Sequence, residues 1–332
     1  MPSRPGEESP ARRTLITWLV IAGLVVAAFF GTVVVLNSTL YSASGFVGSY
    51  LNALARHDID AALATPGVVR TNDAASELLT AGALGDLRGI RPVGDTADAS
   101  GVHSVSYEYR FGDRHGTTHF LVERTGTRFG VFSTWSFRQS PVSILTVTPQ
   151  HAAEFTANGV PLKAKDGPGT AAAYEVLAPG SFILGHESSY LDARETQVMV
   201  EEPGTIVGAE VDIQANRGFI EQLQRELDAA LDKCATQQVL MPTGCPFGKP
   251  LANQVQGDPQ WSIAVYPKVD IIPGDVPGTW LVPPTPAAAH LKVGVRSLFD
   301  GTLSTFDEDI TFSASYLITF APNGTPTIVL QD

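Results

Sequence analysis

The chain has 332 residues, of which 44% are hydrophobic and 17% charged, and it holds only two cysteines. An apolar content this high excludes a disordered chain, and the cysteine count excludes a disulfide-dense mini-scaffold. The formal net charge of −12 opposes nucleic-acid binding, which depends on clustered Lys and Arg.

Thr14 to Leu36 reads TLITWLVIAGLVVAAFFGTVVVL, twenty-three residues without a charge. At 1.5 Å rise per residue that crosses a hydrocarbon core about 30 Å thick, so residues 14–36 are expected to form a transmembrane helix in contact with membrane lipid. A cleaved signal peptide is the rival reading, with YSASG at 41–45 as its cleavage site, although its apolar region runs only ~7–15 residues. Arg4, Arg12 and Arg13 precede the span, and NSTLYSASGFVGSY after it carries no charge. The positive-inside rule then predicts a single-pass plasma-membrane protein with a short cytoplasmic tail, residues 1–13, and an extracytoplasmic bulk. The tail holds three of the 22 basic and two of the 34 acidic residues, so the outer part carries a formal charge of −13.

In residues 41–139, Phe46, Val47, Tyr50, Leu51, Leu54 and Ala55 make an apolar stripe at helical spacing. TNDAASELLTAG at 71–82 predicts a second, shorter helix capped by Thr71 or Asn72 and stopped by Gly82. Four strand-like runs follow: LRGIRPV, VHSVSYEYRF, TTHFLVER and RFGVFSTWSF. In the second, His103, Val105, Tyr107, Tyr109 and Phe111 alternate with polar residues. In the fourth, Phe129, Val131, Ser133, Trp135 and Phe137 share one side. Period-two alternation predicts a sheet with one buried face, covered by the preceding helices. This element order, with FVGSYLNALARHDIDAAL and the closing GVFSTWSF, resembles the NTF2-like, cystatin-related fold.

Residues 140–205 lack helix-period runs. ILTVTP, AAEFTANGV, AAAYEVLAPGSFILGHE and TQVMVEE, with Asn158-Gly159 and Pro179-Gly180 turns, predict a small all-β module. In residues 206–332, Phe219, Ile220, Leu223, Leu227, Ala230 and Leu231 form a helical stripe that Asn216 can cap. The runs QWSIAVYPKVDII, AAAHLKVGVRSLF, DITFSASYLITFA and PTIVLQ then predict a four-stranded antiparallel sheet, a second cystatin-like unit. PGDVPGTWLVPPTP at 273–286 reads as a long Pro-rich loop. The expected fold class is therefore α+β behind a transmembrane helix.

Ten residues, none of them histidine, separate Cys234 from Cys245, which fits neither a zinc site nor a C-x-x-C redox site. Outside a membrane they are expected to pair as a structural disulfide, a closure worth roughly 3 kcal/mol less any strain. Two free thiols are the alternative.

Other chemistry has weak signatures. His115 and His119 lie on a hairpin, where a four-residue spacing does not make a helical metal pair, so turn histidines are expected. His57 stands at a helix end. His103 and His290 lie in strands without an identifiable partner. STFDEDI lacks the spacing of an EF-hand loop and reads as the solvated start of a strand. No G-x-S-x-G or Gly-rich phosphate loop is present. Tyr50, Tyr107, Tyr109, Asp58 and Asp60 would line a pocket if the fold were that of an NTF2-like isomerase. The expectation is a non-enzymatic protein without catalytic, metal or cofactor-binding residues, its partner an envelope protein or wall component.

Cys234, Leu240, Pro242, Gly244, Cys245, Pro246 and Phe247, spaced as C...L.P.GCPF, resemble the pattern of TcaA-type membrane-anchored envelope proteins of bacteria. That resemblance implies a binding role linked to wall stress. Scaffolds of trans-envelope secretion machines share the layout of short tail, single span and outer NTF2-like domains, and a pocket that binds or converts a small ligand is a third reading.

Overall fold

A computed structural model describes residues 10–71, 73–321 and 324–331. The fold is α+β with strands in the majority, and the chain forms two compact units. One comprises Met1–Leu145, Ala173–Phe182 and Val198–Val207, the other Thr146–Ala172, Ile183–Gln197 and Gly208–Asp332.

Helix α1 (Pro10–Ser38) contains the apolar run. Its segment Thr14–Ser38 reaches a mean hydropathy of 2.8 and is not buried in the protein, so by length and composition it can cross a membrane. Arg4 of the predicted tail lies outside the described residues.

Helix α2 (Ala43–Ala55) starts at Ser42, whose side chain accepts from the Gly45 amide, satisfying one of the first-turn donors. Val47, Tyr50, Leu51 and Leu54 are buried, as their spacing predicts. The helix ends at His57, which takes a left-handed φ of 56°, and the His57 and Asp58 amides donate back to Leu54 and Ala53, closing the last turn. Asp58 then caps the short helix α3 (Ile59–Leu63) through the Ala61 amide.

The helix predicted over 71–82 does not form, and the alternative cap Asn72 lies outside the described residues. The Ala75 amide donates to Ala173 O at 2.9 Å and Ala75 O accepts from the Glu175 amide at 2.7 Å, a parallel bridge to Tyr174. Backbone groups committed to that bridge are not free for helical bonds, and only a 3₁₀ turn at Ala81–Ala83 remains.

Strands β1 (Leu87–Ala97), β2 (Val102–Phe111), β3 (Arg114–Arg128) and β4 (Phe132–Phe137) form an antiparallel meander in that order. Pairs such as Val105↔Phe120 and Val122↔Phe137 face α2, and together these residues make the core of the unit. Each fully buried side chain of this size contributes about 1.5–3 kcal/mol. The fourth strand starts later than its alternation suggests. Phe129 takes a left-handed φ of 55° and belongs to the β3–β4 turn, where the chain must reverse.

Strands β5 (Val142–Gln150), β6 (Glu154–Ala157), β7 (Val160–Lys163), β8 (Ala172–Leu177), β9 (Gly180–Glu187), β10 (Leu191–Val200) and β11 (Ile206–Ala215) follow, in the order β7-β6-β9-β10-β11-β5-β8. Asn158 and Gly159, at φ 49° and 78°, supply the two left-handed residues of a two-residue hairpin between β6 and β7.

Helix α4 (Arg217–Ala235) is capped by Asn216, which accepts from the Phe219 amide at 2.8 Å. Phe219, Leu223, Leu227 and Leu231 are buried. Strands β12 (Gln254–Val265), β13 (Ile272–Pro273), β14 (Thr279–Arg296), β15 (Leu303–Phe320) and β16 (Pro326–Gln331) form a sheet of order β12-β14-β15-β16, with the short β13 beside β14. Much of the predicted Pro-rich loop is strand: Thr279 to Pro286 belong to β14, and Pro283-Pro284 fall at the register break between Val282 and Thr285. A bulge is where a residue without an N–H is tolerated.

The carboxylate of Glu175 is 0% exposed and accepts from Arg70 Nε at 2.8 Å and Thr71 Oγ1 at 3.1 Å. Removing one partner leaves a buried charge short of donors. Arg70→Ala is expected to lower stability by about 2 kcal/mol, and adding Glu175→Gln to recover part of the loss because a neutral amide needs less compensation. Urea unfolding of the single and double variants measures both terms, and equal stability of Arg70→Ala and wild type would contradict the pairing.

Candidate functional site

The two faces of α2 have different fates. One packs on the meander; the other carries Gly45, Ser49, Asn52 and Arg56, spaced so that they share a helical face, and it stays open. With Ser38, Thr39 and Ser42 from the segment that leaves α1, and with Pro92 and Tyr107, this face lines a groove of about 570 Å³. Its side chains are mainly hydroxyls and an amide, with one guanidinium. Most of these donors are engaged within the chain, Ser38 and Thr39 with Val35 O, Ser42 with Thr39 O and Asn52 with Gly48 O, so the lining mainly accepts hydrogen bonds and meets a negative group at Arg56.

Tyr107 builds the floor. Its hydroxyl donates to Ser44 O at 2.7 Å, and it fits because residue 48 is glycine: a Cβ there would lie 2.7 Å from the phenol oxygen. Beside it runs a chain of polar contacts. Ser44 Oγ donates to Asp95 Oδ2 at 3.2 Å, the other Asp95 oxygen lies 2.6 Å from His103 Nδ1, and the His103 ring meets Trp135 edge-on. Trp135 Nε1 donates to Tyr41 O at 2.8 Å. Serine, histidine and aspartate are all present, but the carboxylate separates the other two. A serine nucleophile needs the imidazole against its own hydroxyl, so this row orients side chains and does not activate Ser44.

The pocket candidates are not brought together. Tyr50 is fully buried and its hydroxyl donates to Ala178 O at 2.8 Å. Tyr109 and Thr118 share a hydroxyl contact of 2.7 Å, and Thr118 donates on to Glu201 O. Asp58 is the cap of α3 and Asp60 sits exposed in its first turn. Burial pushes the Tyr50 phenol well above its usual value and that of Tyr109 up to about 12.

Neighbouring acids place His119 and His290, whereas the His57 ring meets the Ala81 carbonyl at 3.0 Å. His115 and His119 share a face of β3 about 13 Å apart, and His119 Nδ1 lies 3.0 Å from Glu202 Oε1. His290 stands between Asp307 at 2.9 Å and Asp309 at 2.8 Å, and Lys292 Nζ meets Asp307 at 2.8 Å. The acidic run at 304–310 thus lies within β15, with two of its carboxylates facing basic groups of β14, and Lys292 holds the Asp307 carboxyl below its usual range. No group of three or more metal-ligating side chains occurs among the described residues.

Cys234, in the last turn of α4, is disulfide-bonded to Cys245. The loop between them is further held by Trp261 Nε1 donating to Val239 O at 2.8 Å and by Gln237 Oε1 accepting from the Thr243 amide at 2.9 Å. Phe247 just beyond is buried against Trp261 and Phe312. Sequence reasoning had not singled out Ser49, Asn52, Arg56 or Asp95; the recurrence of small and polar residues opposite the apolar stripe of α2 was the available signal. Comparison with protein-family models, curated proteins and solved structures finds no match to this chain.

Two measurements follow from this geometry. The Cys234→Ser/Cys245→Ser variant should lose roughly 3 kcal/mol, seen as an earlier urea midpoint that reductant no longer shifts. For Tyr109 the folded state holds its phenol proton more tightly than the unfolded chain, whose value is near 10.0. Its contribution is therefore complete below about pH 10 and lost as pH rises toward about 12. Tyr109→Phe should flatten the alkaline decline in stability, and an unchanged decline would show that this phenol is not responsible.

Proposed function

We propose that the chain is a non-enzymatic, membrane-anchored protein of the cell envelope, its tail in the cytoplasm and both folded units outside, and that the α2 groove binds an envelope glycan. The orientation rests on Arg4, Arg12 and Arg13 before the span and the uncharged segment after it. Oxidation of Cys234 and Cys245 suits the same side.

The observation that carries the binding role is the lining of the groove at the point where the chain leaves α1. Ser49 and Arg56 face the groove with a hydroxyl and a guanidinium, and Ser38, Ser42 and Asn52, whose donors bond the Val35, Thr39 and Gly48 carbonyls, add acceptor oxygens, a set matched to sugar hydroxyls and an occasional carboxylate. A phosphate-rich wall polymer fits less well, because the outer part is acidic and one arginine is a weak anion site. The helix-covered meander supports an NTF2-like reading of the first unit, and α4 with its long-stranded sheet a cystatin-like reading of the second. Cys234, Pro242, Gly244, Cys245 and Phe247 support kinship with TcaA-type proteins.

A second reading, a scaffold in a trans-envelope assembly, is favoured by one feature. The β14–β15 turn displays Leu298 and Phe299, the latter 99% exposed. The turn is braced by Ser297 Oγ, which accepts from the Phe299 amide, and by Asp300 Oδ1, which accepts from the Thr302 amide. An ordered apolar tip suits insertion into a protein partner.

Calorimetric titration of the full chain in mild detergent with soluble wall fragments tests the first reading. Asn52→Leu/Arg56→Ala should reduce affinity about tenfold, the loss of one or two polar contacts, with stability unchanged within ~0.5 kcal/mol, as is usual for exposed positions. Absence of heat with wild type would reject the groove as a glycan site. Stable oligomers or co-purified membrane proteins that Phe299→Ser abolishes would favour the scaffold.

A further inference from the structure

We infer that the β3–β4 hairpin is a membrane-interfacial foot, its tip residues Arg128 and Phe129 seated among the phospholipid headgroups of the leaflet from which α1 emerges. The inference rests on the reading of α1 as a membrane span.

The hairpin follows the helix back toward the bilayer. Trp135 bonds to Tyr41 O, and Phe132 stacks on Tyr41 with ring centroids 4.5 Å apart. Four residues nearer the span, Asn37 Nδ2 donates to Val131 O at 2.7 Å and its Oδ1 accepts from the Ser133 amide at 3.0 Å. From Tyr41 to Asn37 the helix partner steps inward while the hairpin partner moves from Trp135 toward Val131, so the turn at Phe129-Gly130 lies deeper still.

The helix surface agrees. Between Thr14 and Ser38 all residues are exposed except Val33, Leu36 and Asn37, which share one face at i, i+3 and i+4. Val33 is about 7 Å inside the outer end of the span, at 1.5 Å per residue. Interfacial side chains seat ~5–10 Å into the headgroup and acyl boundary, the same range.

The tip has the chemistry for that zone. Phe129 is 81% exposed, and it keeps its ring although its φ of 55° favours glycine. The Arg128 guanidinium lies 5.3 Å from the centre of that ring, a cation-on-aromatic pair that presents an apolar edge to acyl chains and a charge to phosphates. Tyr41, Phe132 and Trp135, half-buried against one another, brace the base of the hairpin behind that tip. The tip backbone stays paired up to Arg128↔Phe132, so few polar groups are stranded at that depth.

The test uses the full chain in phosphatidylcholine–phosphatidylglycerol vesicles doped with lipid spin-labelled at a shallow acyl position. An environment-sensitive dye is placed, without reductant, on Thr127→Cys, on Val25→Cys in mid-span, or on Asp113→Cys at the opposite end of β3. Thr127→Cys fluorescence should be quenched about twofold, as for a headgroup-level site; Phe129→Ser in that background should remove most of the quenching, and Asp113→Cys should be unaffected. Quenching at Val25→Cys but not at Thr127→Cys would overturn the foot and leave the anchor standing. Quenching at Thr127→Cys that persists with Phe129→Ser, or extends equally to Asp113→Cys, would overturn it too. Loss of quenching at all three sites would instead remove the anchoring reading and the foot with it.

Discussion

The side-chain amide of Asn37 is the constraint from which the first unit takes its placement. It donates to Val131 O and accepts from the Ser133 amide, and so pairs a helix end with the outer edge of β4, the last strand of the meander. An edge strand exposes unpaired N–H and C=O groups that invite further strands. Here the two ends of that edge are held: the Val131 carbonyl and the Ser133 amide by Asn37, and the Phe137 amide by Pro66 O at 3.0 Å. One polar residue at the end of an apolar run therefore ties the start of that edge to α1 and fixes the meander beside it.

Once that edge is fixed, α2 has a single possible role for each face. Its apolar stripe must cover the sheet, because Val105, Tyr107, Phe120 and Val122 are otherwise bare. Its small and polar face is then left outward next to the segment leaving α1. Gly48 serves both demands, since the absence of a Cβ admits the Tyr107 phenol to the boundary between core and groove. A larger residue at 48 would force that hydroxyl off Ser44 O. The groove is a by-product of the same packing that makes the core.

The elements most legible in the sequence were those with a strong local period. The apolar span, the α2 and α4 stripes, the alternation of β2 and the Asn158-Gly159 turn all reflect interactions within a few residues. What was not legible depended on distant partners. Ala75 trades a predicted helix for a bridge to Tyr174, and Glu175 is buried because Arg70 and Thr71, about a hundred positions away, come to it. Phe129 matched the alternation of β4, but a turn needed its backbone. His103 and His290 had no visible partners because Asp95, Asp307 and Asp309 meet them across strand ladders, and ladder register is not written in any single strand. The groove escaped notice for a related reason: Ser49, Asn52 and Arg56 are ordinary surface residues until β1 and the end of α1 enclose them.

Two exposed phenylalanines show why exposure alone does not name a partner. Phe129 and Phe299 both crown hairpins, and isolated apolar side chains are common on protein surfaces. Phe299 stands on a turn whose hydrogen bonds come from Ser297 and Asp300, local groups that hold the ring out without saying toward what. Phe129 differs because its strand is tied to an apolar helix by Asn37, and a half-buried stripe on that helix records where the hairpin lies. If α1 crosses a bilayer, the lipid surface is the one medium that must be within reach of Phe129, whatever else the protein meets. The chemistry of the tip, a ring under a guanidinium, then meets a medium of known polarity.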